Sequence, residues 1–293
     1  MTRLLLITLA CCALAPACNT LKPGTGTQLS PFPGQLVAIF NEQHCKEASG
    51  IVFSRSRGTL FVVGDEGDIC ELHTDGILVN KAHIPGTDLE GITSNPLTGN
   101  LYALDELSTS ILEINPDNLE VLQHISIALS PAKYNHENKN RGFEAITFLP
   151  NPGQAANSRL FIANQGRSDR ASAAVHELTV PLADGDNVAK TLHILEQKIA
   201  DLSGLHYDDS SGLLLVISDA HNTLLLMTVE GDIRTSYTLP GENQEGITLD
   251  DESRLYIAED SGNIIKYTFP AMPGYRASKN PMRTTRRATG TTN

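Results

Sequence analysis

Short apolar runs alternate with turn-forming clusters along most of the chain, and the period of the runs is that of strands. "LYALD" and "LLLVISD" are nearly all apolar, whereas "SILEIN", "VLQHISIAL" and "IRTSYTLP" mix apolar and polar positions, and Val, Ile, Leu, Tyr and Thr dominate. Clusters such as "NPLTGN" and "YDDSSG" punctuate them. No long helical period competes, so the pattern predicts an all-β fold.

The runs also recur in order. "ASGIVFSRSRGTLFVVGDEGDICELHT" from Ala48 is followed by "LEGITSNPLTGNLYALDELSTSILEINPD" from Leu89, with further copies opening at Phe143, Leu202 and Gln244. Anchored on Gly50, Gly91, Ala145, Gly204 and Gly246, successive units are 41, 54, 59 and 42 residues apart. Each unit holds four short strands, the sequence signature of a β-propeller rather than a helical solenoid. The count predicts five blades, or six should an insertion hide a degenerate one. The fifth unit stops three strands in, after "NIIKYTFP", and "QLVAIF" (Gln35–Phe40) is a free strand-like segment that would close the ring beside it.

Composition and the chain ends add location. A chain of 293 residues with 40% hydrophobic content can bury a full core. Residues 1–18 read as an export signal: Arg3, an apolar run too short to span a bilayer comfortably, and "LAPAC", which looks like a lipobox ending on Cys18 with Ala15 where leucine is usual. This predicts either a lipoprotein anchored through Cys18 or a soluble periplasmic or secreted protein. Residues 19–33 are Pro-, Gly- and Thr-rich and read as a tether, 34–270 as the propeller domain, and 271–293 as a basic, unstructured tail. The net charge of -12 argues against nucleic acid as a partner. A monomer is expected, with a protein partner or small anionic ligand left open. Cys45 and Cys70 are the domain's two cysteines and read either as one disulfide or as two buried thiols.

The candidate chemistry sits where units begin. In a propeller the start of each first strand and the end of each second share one face, which gathers Ser49, Glu90, Glu144, Ser203 and Glu245 with Asp65, Asp105, Asn164, Asp219, Glu259 and Asp260. Carboxylates converging on an axis make a site for a divalent cation, Ca²⁺ above all. The plainer reading makes the aspartates turn formers, Asp88 included. Glutamate is poor at such turns, which singles out Glu90, Glu144 and Glu245 as metal ligands. His206 and His221 belong to the fourth unit and approach the same face. The polar stretch with His136, Lys139 and Arg141 would overhang it and meet an anionic ligand. No nucleophile elbow, P-loop or zinc-protease motif is present, and Ser49 and Ser203 lack an identifiable base.

"DLEGIT" (Asp88–Thr93), "RGFEAITF" (Arg141–Phe148), "DLSGLHYD" (Asp201–Asp208) and "NQEGITLDDESRLYIAEDSG" (Asn243–Gly262) resemble the SdiA-regulated family, also called YjiK/CarP-like, of bacterial exported or membrane-attached β-propellers. The resemblance covers roughly Gln35 to Pro270. It implies an envelope location, a link to calcium homeostasis and, for some members, phytase-like activity, and it carries over no catalytic residue. The leading expectation is a lipid-anchored scaffold or sensor holding Ca²⁺ at the channel mouth. The alternatives are a metal-dependent hydrolase of phosphoric esters or lactones, and a protein-interaction platform.

Overall fold

The computed structural model describes residues 29–41, 44–129, 142–166, 173–180, 187–197 and 199–269. Among them the strands group into four-stranded units. The first holds β3 (Ala48–Ser54), β4 (Thr59–Gly64), β5 (Asp68–His73) and β6 (Leu78–His83). The second holds β7 (Leu89–Ser94), β8 (Leu101–Asp105), β9 (Ser110–Ile114) and β10 (Val121–Ala128). The third runs β11 (Phe143–Leu149), β12 (Arg159–Asn164), β13 (Ala174–Thr179) and β14 (Val188–Glu196). The fourth runs β15 (Gly204–Asp208), β16 (Leu213–Ser218), β17 (Thr223–Thr228) and β18 (Ile233–Thr238). The last combines β19 (Gln244–Leu249), β20 (Arg254–Glu259) and β21 (Asn263–Thr268) with β2 (Gln35–Asn41). The fold is an all-β propeller.

Turn chemistry explains where the strands stop. Asn95 Oδ1 accepts the Leu97 N–H at 2.9 Å, and Asp208 Oδ1 accepts the Ser210 N–H at 3.0 Å. Asp250 Oδ1 accepts the N–H groups of both Glu252 and Arg254 at 2.9 Å. Each of these side chains imitates a backbone turn just after a first strand.

The core lies between units rather than within them. Val52, Phe61 and Val63 pack on Ile92, Leu101 and Leu112 across the first junction, and Ile51, Leu60 and Val62 pack on Tyr256 and Ala258 across the last. Residues 60 to 63 of β4 therefore alternate between two interfaces, and both faces are buried. That is why second strands read as unbroken apolar runs. The first strands contact one another in a ring: β3 on β7, β7 on β11, β11 on β15, β15 on β19 and β19 on β3.

Closure follows the expected route, with β2 antiparallel to β21 from Gln35↔Thr268 to Asn41↔Asn263. Strand pairing starts ahead of residue 34, the expected start of the propeller domain. β1 (Ser30–Pro31) runs parallel to β18, and the Phe32 ring lies 5.0 Å from Tyr267 and 5.8 Å from Phe269. An aromatic side chain seated between two units fixes this segment where composition alone suggested a linker. A second unforeseen pairing joins β10 in parallel to β14, so the second and third units share one eight-stranded sheet.

Cys45, just before β3, is joined to Cys70 on β5 with Cα atoms 6.1 Å apart, and both are fully buried. The bridge ties the chain leaving the closing strand to the body of the first unit. Closing a loop with a sequence separation of 25 restricts the unfolded chain by about 3 kcal/mol. Replacing both cysteines by alanine should lower the urea-unfolding free energy by about that amount; an unchanged midpoint would show that the bridge does not form.

Candidate functional site

The ring of first strands is unusually tight, and glycine is the reason. A Cβ on Gly50 would lie 2.3 Å from the Glu90 carbonyl oxygen, one on Gly91 2.7 Å from Ile146 N, and one on Gly246 2.8 Å from Ile51 N. The backbones of neighbouring first strands therefore touch where a side chain would stand. β11 and β19, two places apart in the ring, come within 8 Å Cα to Cα. The face above this constriction is a cup with a narrow floor.

The threonine of the repeated motif secures the same ring one step lower. Thr93 Oγ1 accepts the Phe148 N–H at 3.2 Å, Thr147 Oγ1 the Tyr207 N–H at 2.8 Å, and Thr248 Oγ1 the Phe53 N–H at 3.0 Å. Each bond crosses from one unit to the next. Val52 and His206 fill the same place in the other two units. His206 Nδ1 faces Thr248 Oγ1 at 3.5 Å, and burial pushes its imidazole down to about 4. His206 thus belongs to the packed ring below the cup and is separated in level from the glutamates.

The glutamates stand immediately above the glycines, and a bulge puts them there. Pairing jumps from Phe143↔Asn164 to Ala145↔Ala163, from Gln244↔Glu259 to Gly246↔Ala258 and from Ala48↔Gly64 to Gly50↔Val63. Glu144, Glu245 and Ser49 are the extra residues, and Glu90 lies in the matching jump between Leu89 and Ile92. A bulged residue leaves the in-out alternation of its strand and re-aims its side chain. The Glu90 and Glu144 carboxyl groups, from adjacent units, lie close enough over the cup to raise the Glu90 pKa.

The strand-end acids separate into two sets. Asp105, Asn164 and Glu259 are the last residues of second strands and are buried. Asp105 Oδ1 accepts the Asp88 N–H at 3.1 Å, Asn164 Oδ1 the Ala174 N–H at 2.8 Å, and Glu259 Oε2 the Asn263 side-chain amide at 3.3 Å. These three are engaged in hydrogen bonds at the strand ends, one residue before the set that gathers around the glutamates. One residue further on come Asp65, Glu106, Gln165, Asp219 and Asp260. Their N–H groups reach the carbonyls of Glu47, Asp88, Gly142, Asp201 and Asn243 respectively, at 2.9 to 3.4 Å. This second set faces the cup, and it includes Glu106 and Gln165, which spacing did not single out.

Electrostatics report the convergence. Burial raises Glu90 most, followed by the charges of Glu144, Asp65, Asp88 and Glu106. Burial likewise raises Glu144, with Glu106 next, and it pushes Glu245 up to about 8, helped by Asp219, Glu144, Asp201 and Asp260. Asp65, Asp201 and Asp219 are raised chiefly by burial too. Asp65 is held by the Ser49 hydroxyl, and Ser203 donates to the Gln244 carbonyl at 2.6 Å. One carboxylate oxygen each from Asp65, Asp88 and Glu90 lies within 4.8 Å of the others. Two oxygens on opposite sides of one Ca²⁺ are about 4.8 Å apart, so these three can share an ion. Asp88, expected as a turn residue, joins the cluster through its side chain while its backbone serves the turn. The stretch with His136, Lys139 and Arg141 lies outside the described residues. Among those described, no helix is long and apolar enough to cross a membrane.

A ring of four-stranded units around a carboxylate cup defines a β-propeller with an acidic mouth. The sequence matches the SdiA-regulated family over residues 36–265, and the chain belongs to that family. Its fold is similar to that of Myxococcus xanthus glutaminyl cyclase, at 11% identity and a TM-score of 0.55 over 80% of this chain and 95% of that one. The Myceliophteria thermophila Cps50 (Swd1) β-propeller domain is also similar, at 7% identity and a TM-score of 0.49, over 81% of this chain and all of that domain. At these identities the likeness concerns fold.

Proposed function

We propose that the protein is a lipid-anchored envelope propeller whose cup binds a divalent cation, Ca²⁺ by preference, and acts as a binding or sensory scaffold. The observation that carries this reading is the meeting of Asp65, Asp88 and Glu90 oxygens within 4.8 Å, beside Glu144 and a further arc of acids. Hard oxygen donors of this number suit Ca²⁺, which accepts six to eight oxygens in flexible geometry. Glu144 adjoins the cluster, and Glu245 with Asp219 and Asp260 continues the arc of acids. The narrow floor supports binding from one face rather than passage through the ring.

The test is the melting temperature of chelator-stripped protein at pH 8. Ca²⁺ at one hundred times its dissociation constant adds about 2.7 kcal/mol of stability, a rise of roughly 5–10 °C for a domain of this size. Asp65→Asn and Glu90→Gln should each remove most of that rise. No shift with millimolar Ca²⁺, Mg²⁺ or Mn²⁺ would sink the proposal.

A further inference from the structure

The closing strand has a surface unlike those of its counterparts. The outer strands of the other units all carry ionisable side chains: Lys81 and His83 on β6, His124 on β10, Lys190, His193 and Glu196 on β14, and Arg234 on β18. β2, QLVAIFN, carries none, and from Leu29 to Asn41 there is no charged residue in a chain whose net charge is -12. Within this stretch Leu29, Leu36, Val37 and Ile39 are 43%, 59%, 50% and 56% exposed. β10 and β14 each expose one large aliphatic residue, Leu122 and Leu192, and β6 with the residue just before it exposes two, Ile77 and Val79.

We infer that this strand is the membrane-resting face of the propeller, its aliphatic side chains seated among lipid acyl chains. The inference rests on the anchored reading given above. Ten residues lie between Cys18 and Leu29, a contour of at most about 40 Å, so a lipid on Cys18 keeps β1 and β2 beside the bilayer. Burying four aliphatics there brings no ionisable side chain into the lipid, whereas each of the other outer strands would bring at least one. A second copy or an added peptide strand fits the surface less well. The pairing of β2 shifts between Leu36 and Ala38, and a bulge in the outermost strand interrupts the ladder that an added strand would use. β2 lies on the perimeter, so this orientation leaves the carboxylate cup open.

The chain contains no tryptophan, so one introduced residue reports its own surroundings. Full-length protein carrying Ile39→Trp, or Val37→Trp should the first fold poorly, is compared with Leu122→Trp on the second unit. Vesicles of phosphatidylethanolamine and phosphatidylglycerol with brominated acyl chains are the probe. The expected result is blue-shifted emission and at least threefold stronger quenching at position 39 than at 122, roughly the contrast between a buried and a solvated ring. Equal quenching, or none at either position, overturns the inference. A blue shift that grows with protein concentration without vesicles assigns the strand to a second copy and also overturns it. Cys18→Ser separates the two readings. If vesicle recovery is the same with and without Cys18, the anchor fails, while the contrast between positions 39 and 122 in the bound fraction still reports the strand.

Discussion

Gly50→Ala is expected to unfold the ring at its tightest junction. The new methyl group would stand 2.3 Å from the Glu90 carbonyl oxygen, a backbone atom of the next first strand. Backbone cannot swing aside as a side chain can, so either β3 and β7 separate or the strain is borne throughout the first and second units. A cost of about 3 kcal/mol or more follows, with a melting temperature lowered by roughly 6–12 °C. Gly153→Ala is the control, because the nearest atom to its Cβ, Asn151 Oδ1, is 3.8 Å away; its effect should stay within about 0.5 kcal/mol. Equal effects from the two substitutions would mean that the close approach is absent. Any Gly50→Ala protein that does fold should also bind Ca²⁺ more weakly, since Glu90 is carried by the strand that moves.

The second large effect is a dependence of stability on pH in chelator. A carboxyl group whose folded pKa is raised keeps in the fold a proton that the unfolded chain releases. Its contribution is intact below the unfolded value and is lost as pH rises toward the folded one. Glu245, raised from 4.5 to about 8, should therefore erode stability between pH 4.5 and 8. Glu144 and Glu90 act in the same direction. Each such group costs about 1.4 kcal/mol per pH unit inside its window. The melting temperature of metal-free protein should fall as pH rises from 5 to 8, and Glu245→Gln should flatten that slope and raise the melting temperature at pH 8. Identical slopes for parent and variant would count against the buried placement of Glu245. The same protons must leave when a cation binds, so Ca²⁺ affinity should climb across this range.

The fold was legible in the sequence because five units repeat one strand pattern, and a repeat averages away local ambiguity. Glu90, Glu144 and Glu245 were legible for the same reason, each standing one residue before a unit's anchor. The strand-end acids were misgrouped by a single residue. Asp105 looked equivalent to Asp65 because both are aspartate, but the residue placed like Asp65 is Glu106. Only hydrogen bonds between strands reveal that register. Thr93, Thr147 and Thr248 passed for ordinary strand formers, since a hydroxyl bonded across a junction leaves no local mark. The glycines marked the repeat without disclosing their purpose, which depends on a neighbour 40 or more residues away. The Cys45–Cys70 pairing depended on where β5 lies relative to the approach to β3, and spacing does not fix that.

The closing strand also dictates the order of assembly. Gln35 meets Thr268 across a separation of 233 residues, so this ladder cannot begin until β21 has been made. Contacts so distant along the chain pay their loop-closure entropy late, which places ring closure at or near the slow step of folding. Cys45 and Cys70 are 25 residues apart and can join long before. Oxidation early in folding would then hold β2 next to the first unit, waiting for a partner that arrives last.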